Sequence, residues 1–185
     1  MYCSSCAAAL PSAPPVTCST CGTSHWHNAK PCAGALVAEG NKLLVLRRAH
    51  DPWYGRWDLP GGFCDGAEHP VATAVRETKE ETGLAVDIVG LLGMWLDVYS
   101  PPRAGFPDEV TLNIFYHADL VGPYEPVLEA AEASEIRWAG PDQLPSLEEL
   151  AFPRQLGPVL DGWRRVVTEG LARRTWLPDD PRRRP

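Results

Sequence analysis

Apolar residues come in short bursts along this chain, and the polar positions between them sort the bursts into strands and helices. Residues 33–49, AGALVAEGNKLLVLRRA, read as two strands around a turn from Glu39 to Lys42, a hairpin. Residues 55–63, GRWDLPGGF, read as a strand entering a glycine-rich loop. From Pro70 to Thr82 the period becomes helical, and Val71, Ala74, Val75, Thr78 and Thr82 fall in one sector of about 100°. Pro70 suits the first turn and Gly83 the stop. Residues 85–100 and 109–121 read as long strands, and SPPRAGFPD, 100–108, as the loop between them. A short strand at 134–140, a loop with a short helix at 141–152 and a closing helix at 153–174 complete the pattern. Strands joined by hairpins as well as by helices indicate an α+β fold with a mixed sheet, not a doubly wound parallel one.

Residues 1–30 break this pattern. They hold no Asp or Glu and too little apolar material for a core, so they need a staple. Cys3 and Cys6 form one C-x-x-C knuckle and Cys18 and Cys21 a second, 11 residues further on. Four thiolates at such spacing suit a tetrahedral structural Zn²⁺, whose binding would supply the folding energy of the segment. A redox disulfide is the rival reading. His25 and His27, flanking Trp26, could replace a Cys as ligands, though a surface role suits them better. Cys32 reads as a small core residue, and Cys64 lies in the loop before the helix.

The 185 residues, 44 % apolar with seven Trp, are enough for one sizeable core plus a small appendage. The expected division is a ribbon at 1–30, a main domain at 31–170 and a basic tail at 171–185. No apolar run approaches the roughly 20 residues that cross a bilayer, and the N-terminus lacks the basic and apolar regions of a secretory signal. A cytoplasmic location with reduced thiols is therefore expected. The net charge of −7 is uneven: from Arg164 on there are seven Arg against three acids, so the rest carries −11. An acidic body does not invite a nucleic-acid backbone, but it suits a phosphorylated substrate when divalent metal is present.

Glu77, Glu80 and Glu81 crowd into five residues of the helix and share one face away from its core side. Like charges one turn apart destabilise a bare helix by a few tenths of a kcal/mol per pair. A solvated acidic face is the plain reading of such a cluster. A divalent cation would reverse the sign, and oxygen-only ligands suit Mg²⁺ or Mn²⁺. Arg76 can orient a carboxylate through a bidentate pair, and Gly61-Gly62 lets backbone approach a ligand.

The stretch from Gly62 to Leu84 resembles the Nudix box in full spacing: Gly62, Glu68, Arg76, Glu77, Thr78, Glu80, Glu81, Gly83 and Leu84. Thr78 departs from it, standing on the core face where an aliphatic residue is usual. The resemblance spans roughly residues 32–165. It implies an α/β/α sandwich with a mixed sheet and an Mg²⁺-dependent hydrolysis of a nucleoside diphosphate linked to another moiety. It also implies that Glu77, Glu80 and Glu81, with the carbonyl of Gly62, hold the metal. Arg76 is then an orienter, and Glu68 a helper of the loop. The general base in this family is a box Glu or one from a later loop. Of Glu129, Glu132 and Glu135, Glu132 is chosen here, with Glu80 next. Among the aromatics Tyr54, Trp57, Trp95, Tyr99 and Phe115, the substrate-binding candidates are Trp57, Tyr99 and Phe115.

A zinc ribbon ahead of such a domain resembles the subgroup of NADH pyrophosphatases and ADP-ribose pyrophosphatases. Residues 93–109 lack the Ser-Gln-Pro-Trp-Pro-Phe-Pro motif of the NADH enzymes, which favours an ADP-ribose-like substrate over NADH or NAD-capped RNA. Pro101 and Tyr99 both lie near the place that separates ADP-ribose enzymes from dinucleoside-polyphosphate enzymes. A homodimer accords with the family. The competing class is a non-catalytic nucleotide-sensing module, against which the intact Glu set argues.

Overall fold

The computed structural model describes residues 1–99, 109–122, 126–127 and 131–169. Two short strands, β1 (Val16–Thr17) and β2 (Ser24–His25), pair antiparallel in a small sheet of their own. The main sheet has seven strands: β3 (Lys30–Glu39), β4 (Lys42–Arg48), β5 (Trp57–Asp58), β6 (Gly61–Phe63), β7 (Val86–Val98), β8 (Val110–Leu120) and β9 (Ala133–Ala139). Two helices, α1 (Pro70–Thr82) and α2 (Pro153–Glu169), accompany it. The expected hairpin is β3–β4, whose strands pair at Ala38–Leu43 and Glu39–Lys42. Residues 141–152 carry two 3₁₀ turns, Pro141–Gln143 and Leu147–Glu149, where one short helix was expected. The strand expected to open at Ala33 begins three residues earlier and crosses the boundary drawn at 30/31. The loop 100–108, Glu129 and the tail 171–185 lie outside the described residues.

The sheet is mixed. β8 lies parallel to β3 over Lys30–Ala38 and antiparallel to β7, while β9 pairs antiparallel with β4. β3 is buried from Cys32 to Val37 without a break, which marks a strand covered on both faces. The side chains sort accordingly into two cores. On one face Leu36, Leu43, Val45 and Phe115 meet Leu156, Val159, Leu160 and Trp163 of α2. On the other, Ala33, Ala35, Val37, Leu44 and Tyr116 meet Val71 and Ala74 of α1. This is the α/β/α sandwich expected from the sequence.

Local chemistry sets the ends of α1. The side chain of His69 accepts the N–H of Val71, Pro occupies the first turn, and Gly83 closes the helix at φ 70° with its N–H on the Lys79 carbonyl. Thr73 is buried, while Val75 is only half-buried, a small rotation from the face expected. Thr78 is fully buried and donates its hydroxyl to the Ala74 carbonyl at 2.7 Å, so the polar departure at this core position is satisfied within the helix.

Candidate active site

The turn of chain before α1 is pressed between the sheet and the helix. β6 pairs with β3 through Gly61–Gly34, Gly62–Ala33 and Phe63–Cys32. A Cβ at Gly61 would lie 2.7 Å from the Ala33 carbonyl oxygen and the Gly34 Cα. One at Gly62 would lie 2.5 Å from an oxygen of Glu77. Glycine at these two places lets the backbone meet β3 on one side and a carboxylate on the other. Glu81 accepts the Gly61 N–H at 2.9 Å.

Glu77 and Glu81 both line a cavity of about 290 Å³ that also receives Gly61 and Gly62. Burial pushes the carboxyl of Glu77 above its ordinary range against the pull of Arg76. Burial raises Glu81 further, opposed by the Gly61 N–H and reinforced by Asp58, Glu77 and Glu132. Two half-buried carboxylates so placed form a site that a divalent cation would relieve, and their oxygen-only chemistry fits Mg²⁺ or Mn²⁺. Glu80 turns elsewhere: its side chain is 57 % exposed and accepts from Arg76 at 2.9 Å. The three carboxylates therefore do not converge as closely as their spacing suggested.

Arg76 is the hub of the loop. It donates to both oxygens of Glu68, at 3.0 and 2.9 Å, to Glu77 at 2.8 Å, to Glu80 at 2.9 Å and to the Phe63 carbonyl at 3.2 Å. Glu68 also accepts the Thr73 hydroxyl and the Asp65 N–H. The Arg76 guanidinium, followed by these donors, holds the Glu68 carboxyl down at about 2.

Of the rest of the cavity, the sequence pointed to Glu132, Tyr99 and Phe115, and not to Asp58 or the polar residues of β8 and α2. Asp58 is paired to Arg48 at 3.0 Å, and burial raises its carboxyl. Glu132 lines the cavity with Oε2 3.6 Å from His50 Nδ1, and its carbonyl accepts the Ala49 N–H, which ties the turn to the end of β4. Glu135 instead pairs with Arg47 on the strand. Tyr99 lines the cavity, stacked on Phe152 at 5.9 Å and 19° and edge-on to Phe63. Phe115 lines it too, packed so close over Gly34 that a Cβ there would meet the ring at 2.8 Å. Trp57 is a correction. It does not line the cavity and is only 6 % exposed, its ring covered by Arg137 at 4.2 Å and Arg47 at 5.9 Å. Thr111, Asn113 and Gln155 also line the cavity. No local motif marks them, because β8 and α2 deliver them from distant chain.

At the N-terminus the four cysteines do converge. Their sulfurs all lie within 4.8 Å of one another, with Cys3–Cys21 at 3.6 Å and Cys6–Cys18 at 3.7 Å. A tetrahedral zinc with Zn–S of about 2.3 Å requires S–S edges of about 3.8 Å, whereas a disulfide requires about 2.05 Å. The cluster is thus compatible with a zinc ribbon. The two knuckles share one conformation: the residue after the second cysteine is left-handed in each, Ala7 at φ 59° and Gly22 at φ 76°. In each, the N–H of that residue bonds the carbonyl of the first cysteine. His25 Nε2 stands 3.3 Å from the Cys3 sulfur, beside the cluster.

Comparison with known proteins agrees with this geometry. The family model of the NUDIX domain matches residues 29–160. The chain is 37 % identical over 87 residues to the ADP-ribose pyrophosphatase of Methanocaldococcus jannaschii, covering 47 % of this chain and 48 % of that protein, about half its length. It is 43 % identical over 151 residues to the RNA pyrophosphohydrolase of Acidiphilium cryptum, covering 75 % and 84 %. A crystal structure of a NUDIX hydrolase from Nitrosomonas europaea matches with a TM-score of 0.69 at 28 % identity, over 91 % of this chain and 90 % of that one.

Proposed function

The chain belongs to the NUDIX family of hydrolases, and from that premise we propose that it hydrolyses the pyrophosphate of a nucleoside diphosphate linked to another moiety, with Mg²⁺ and with an ADP-ribose-like compound as favoured substrate. The observation that carries this reading is the convergence of Glu77 and Glu81 on the Gly61-Gly62 backbone inside one cavity. Glu77, Glu81 and the Gly62 carbonyl would hold the cation, with Glu80 joining from the rim. The cation supplies neutralisation of the diphosphate charge. Arg76 positions Glu77 and Glu80. Glu132 accepts the proton of the attacking water as the new O–P bond forms, and the P–O–P link breaks to give two phosphomonoesters. Glu80 is the next candidate for that base. Tyr99 and Phe115 offer apolar walls to the substrate. The favoured substrate draws support from the M. jannaschii relative and from the missing NADH motif. The four cysteines would hold a structural Zn²⁺. Among the described residues no helix is long and apolar enough to cross a membrane, and we place the protein in the cytoplasm, where thiols stay reduced and open to metal.

A panel of ADP-ribose, NADH, nucleotide sugars, dinucleoside polyphosphates and NAD-capped RNA, each with Mg²⁺, Mn²⁺ or chelator, tests this. Metal-dependent release of AMP and ribose 5-phosphate from ADP-ribose is expected. Binding without hydrolysis of any member, with either metal, would make the protein a nucleotide sensor.

A further inference from the structure

Gln155 lies in the first turn of α2, is 4 % exposed, and its Oε1 has no hydrogen-bond partner among the described residues. A buried amide oxygen left unpaired is costly, and native structures rarely keep one without a reason. The core does not call for an amide here. Leu156, Val159, Leu160 and Trp163, the other large buried residues of α2, are all apolar. Gln155 lines the active-site cavity, so its missing partner can arrive there with a ligand.

The cavity is polarised. Glu77 and Glu81 of α1, Asp58 of β5, Asp65 before α1 and Glu132 before β9 bring its acids, and Arg48 of β4, paired to Asp58, its guanidinium. On β8, by contrast, Thr111, Asn113 and Phe115 occupy alternate positions and share one face. Asn113 is buried and donates Nδ2 to the Thr111 hydroxyl at 2.9 Å, which fixes its amide plane. It stands two strands from the metal loop, since Phe63 pairs with Cys32 and Cys32 with Asn113. That is about 10 Å at the usual strand spacing. The Gln155 backbone N–H bonds the Phe152 carbonyl, and the stacked Phe152 and Tyr99 rings line the same cavity as Gln155.

The Arg48 guanidinium over Phe152 at 5.5 Å and the buried Asp97 opposite Thr111 border this wall. Two neutral amides in a cavity lined by the Tyr99, Phe115 and Phe152 rings suit a planar heterocycle. Stacking serves its face. An amide offers an acceptor beside a donor, the complement of a nucleobase edge such as the N6 and N7 of adenine. A ribose has no π face of its own and would stack less well on these rings than a planar base. We infer that Gln155, with Asn113, reads the nucleobase, with Gln155 Oε1 accepting an N–H from its edge. Gln155 is therefore a specificity-determining residue, and this inference rests on the nucleotide reading proposed above.

Calorimetry with the full chain separates the two. AMP, GMP, CMP and UMP are titrated against ribose 5-phosphate, which lacks only the base. In the parent, one nucleotide should bind at least about tenfold tighter than ribose 5-phosphate. Gln155→Leu and Gln155→Met, each checked for folding by thermal melting, should lose about tenfold for that nucleotide, the worth of one good hydrogen bond. Ribose 5-phosphate should bind all three proteins alike. With a hydrolysed substrate, KM should rise while kcat holds. Equal binding of all four nucleotides and ribose 5-phosphate by the parent would overturn the inference, as would variants that keep the base preference, since a bound water would then suffice for Oε1. A parent that binds a base selectively yet hydrolyses nothing sinks the hydrolytic reading and leaves this one standing.

Discussion

Among the acidic side chains, environment separates roles that composition cannot. Glu77 presses on Gly62 inside the cavity, while Glu132 sits 3.6 Å from His50 on a turn. Replacing a group that holds metal should weaken metal affinity, and excess Mg²⁺ should partly restore the rate. Replacing a base should lower turnover with metal affinity near normal. Glu77→Gln is expected to show the first pattern and Glu132→Gln the second, with turnover down by about 10²-fold or more. Metal titrations beside rate measurements check this, and full activity in Glu132→Gln would move the base to Glu80. Glu68 gives a pH prediction. Its carboxyl ordinarily titrates at 4.5 and is held at about 2 in the fold by Arg76, Thr73 and the Asp65 N–H. The folded state thus binds fewer protons than the unfolded one between these values, and stability falls as the pH drops through that window. The contribution is fully present above the unfolded value. In melts from pH 7 to pH 2, Glu68→Gln should begin with a lower Tm and fall less steeply between 4.5 and 2 than the parent. Parallel curves would show that the Arg76–Glu68 pair adds nothing.

At the scale of elements, the site is a strand, a glycine pair and a helix locked by close approach. The neighbours of the two glycines differ, so their substitutions should fail differently. A Cβ at Gly62 meets the end of a side chain, Glu77, at 2.5 Å, whereas a Cβ at Gly61 meets the backbone of β3 at 2.7 Å. Gly62→Ala should fold with a near-parental Tm and lose most turnover by displacing Glu77. Gly61→Ala should lose stability by about 1–3 kcal/mol, since strand and backbone must part. Denaturation midpoints beside kcat check the pair, and equal losses of stability would refute the distinction. This element was the most legible in the sequence, because its determinants are local. Helical period, Pro70 and Gly83 mark α1 within thirteen residues. On the opposite wall the aromatics Tyr99 and Phe115 were legible by type, while its polar residues were not, for the converse reason. Cys32 meets Asn113 only because β8 lies parallel to β3, and Gln155 arrives on a helix over forty residues later. Trp57 shows how chain proximity misleads. It is adjacent to Asp58, which lines the cavity, yet its ring goes to the core between two guanidinium groups. An exposed aromatic and a buried one read alike until β4 and β9 supply the covering Arg47 and Arg137.

The two hydrophobic cores and the four-cysteine cluster occupy separate parts of the chain. No described residue before Ala33 belongs to either hydrophobic core. The segment ahead of β3 has a two-residue hairpin, two buried cysteines and exposed Tyr2 and Trp26, at 73 % and 68 %. Such a piece cannot offset its chain entropy by burial. A metal held by the four sulfurs would supply its order. Cys18 is the test position, because it is buried, 1 % exposed, and its N–H and carbonyl close the second knuckle through Thr23 and Gly22. Cys18→Ser keeps the shape and removes a thiolate. The parent should carry about one zinc per chain, and the variant should carry less and release it faster to a chelator. Residues 1–28 should become open to protease as the metal leaves. The body buries its own cores, so its Tm should stay close to that of the parent, a difference within about 0.5 kcal/mol. Turnover on the best substrate should hold, since no lining residue of the cavity precedes Cys32. Metal analysis, limited proteolysis and a melt on one preparation decide the matter. Loss of turnover with the body still folded would show that the ribbon acts on the active site, and a zinc-free parent grown with zinc would remove the metal from the account altogether.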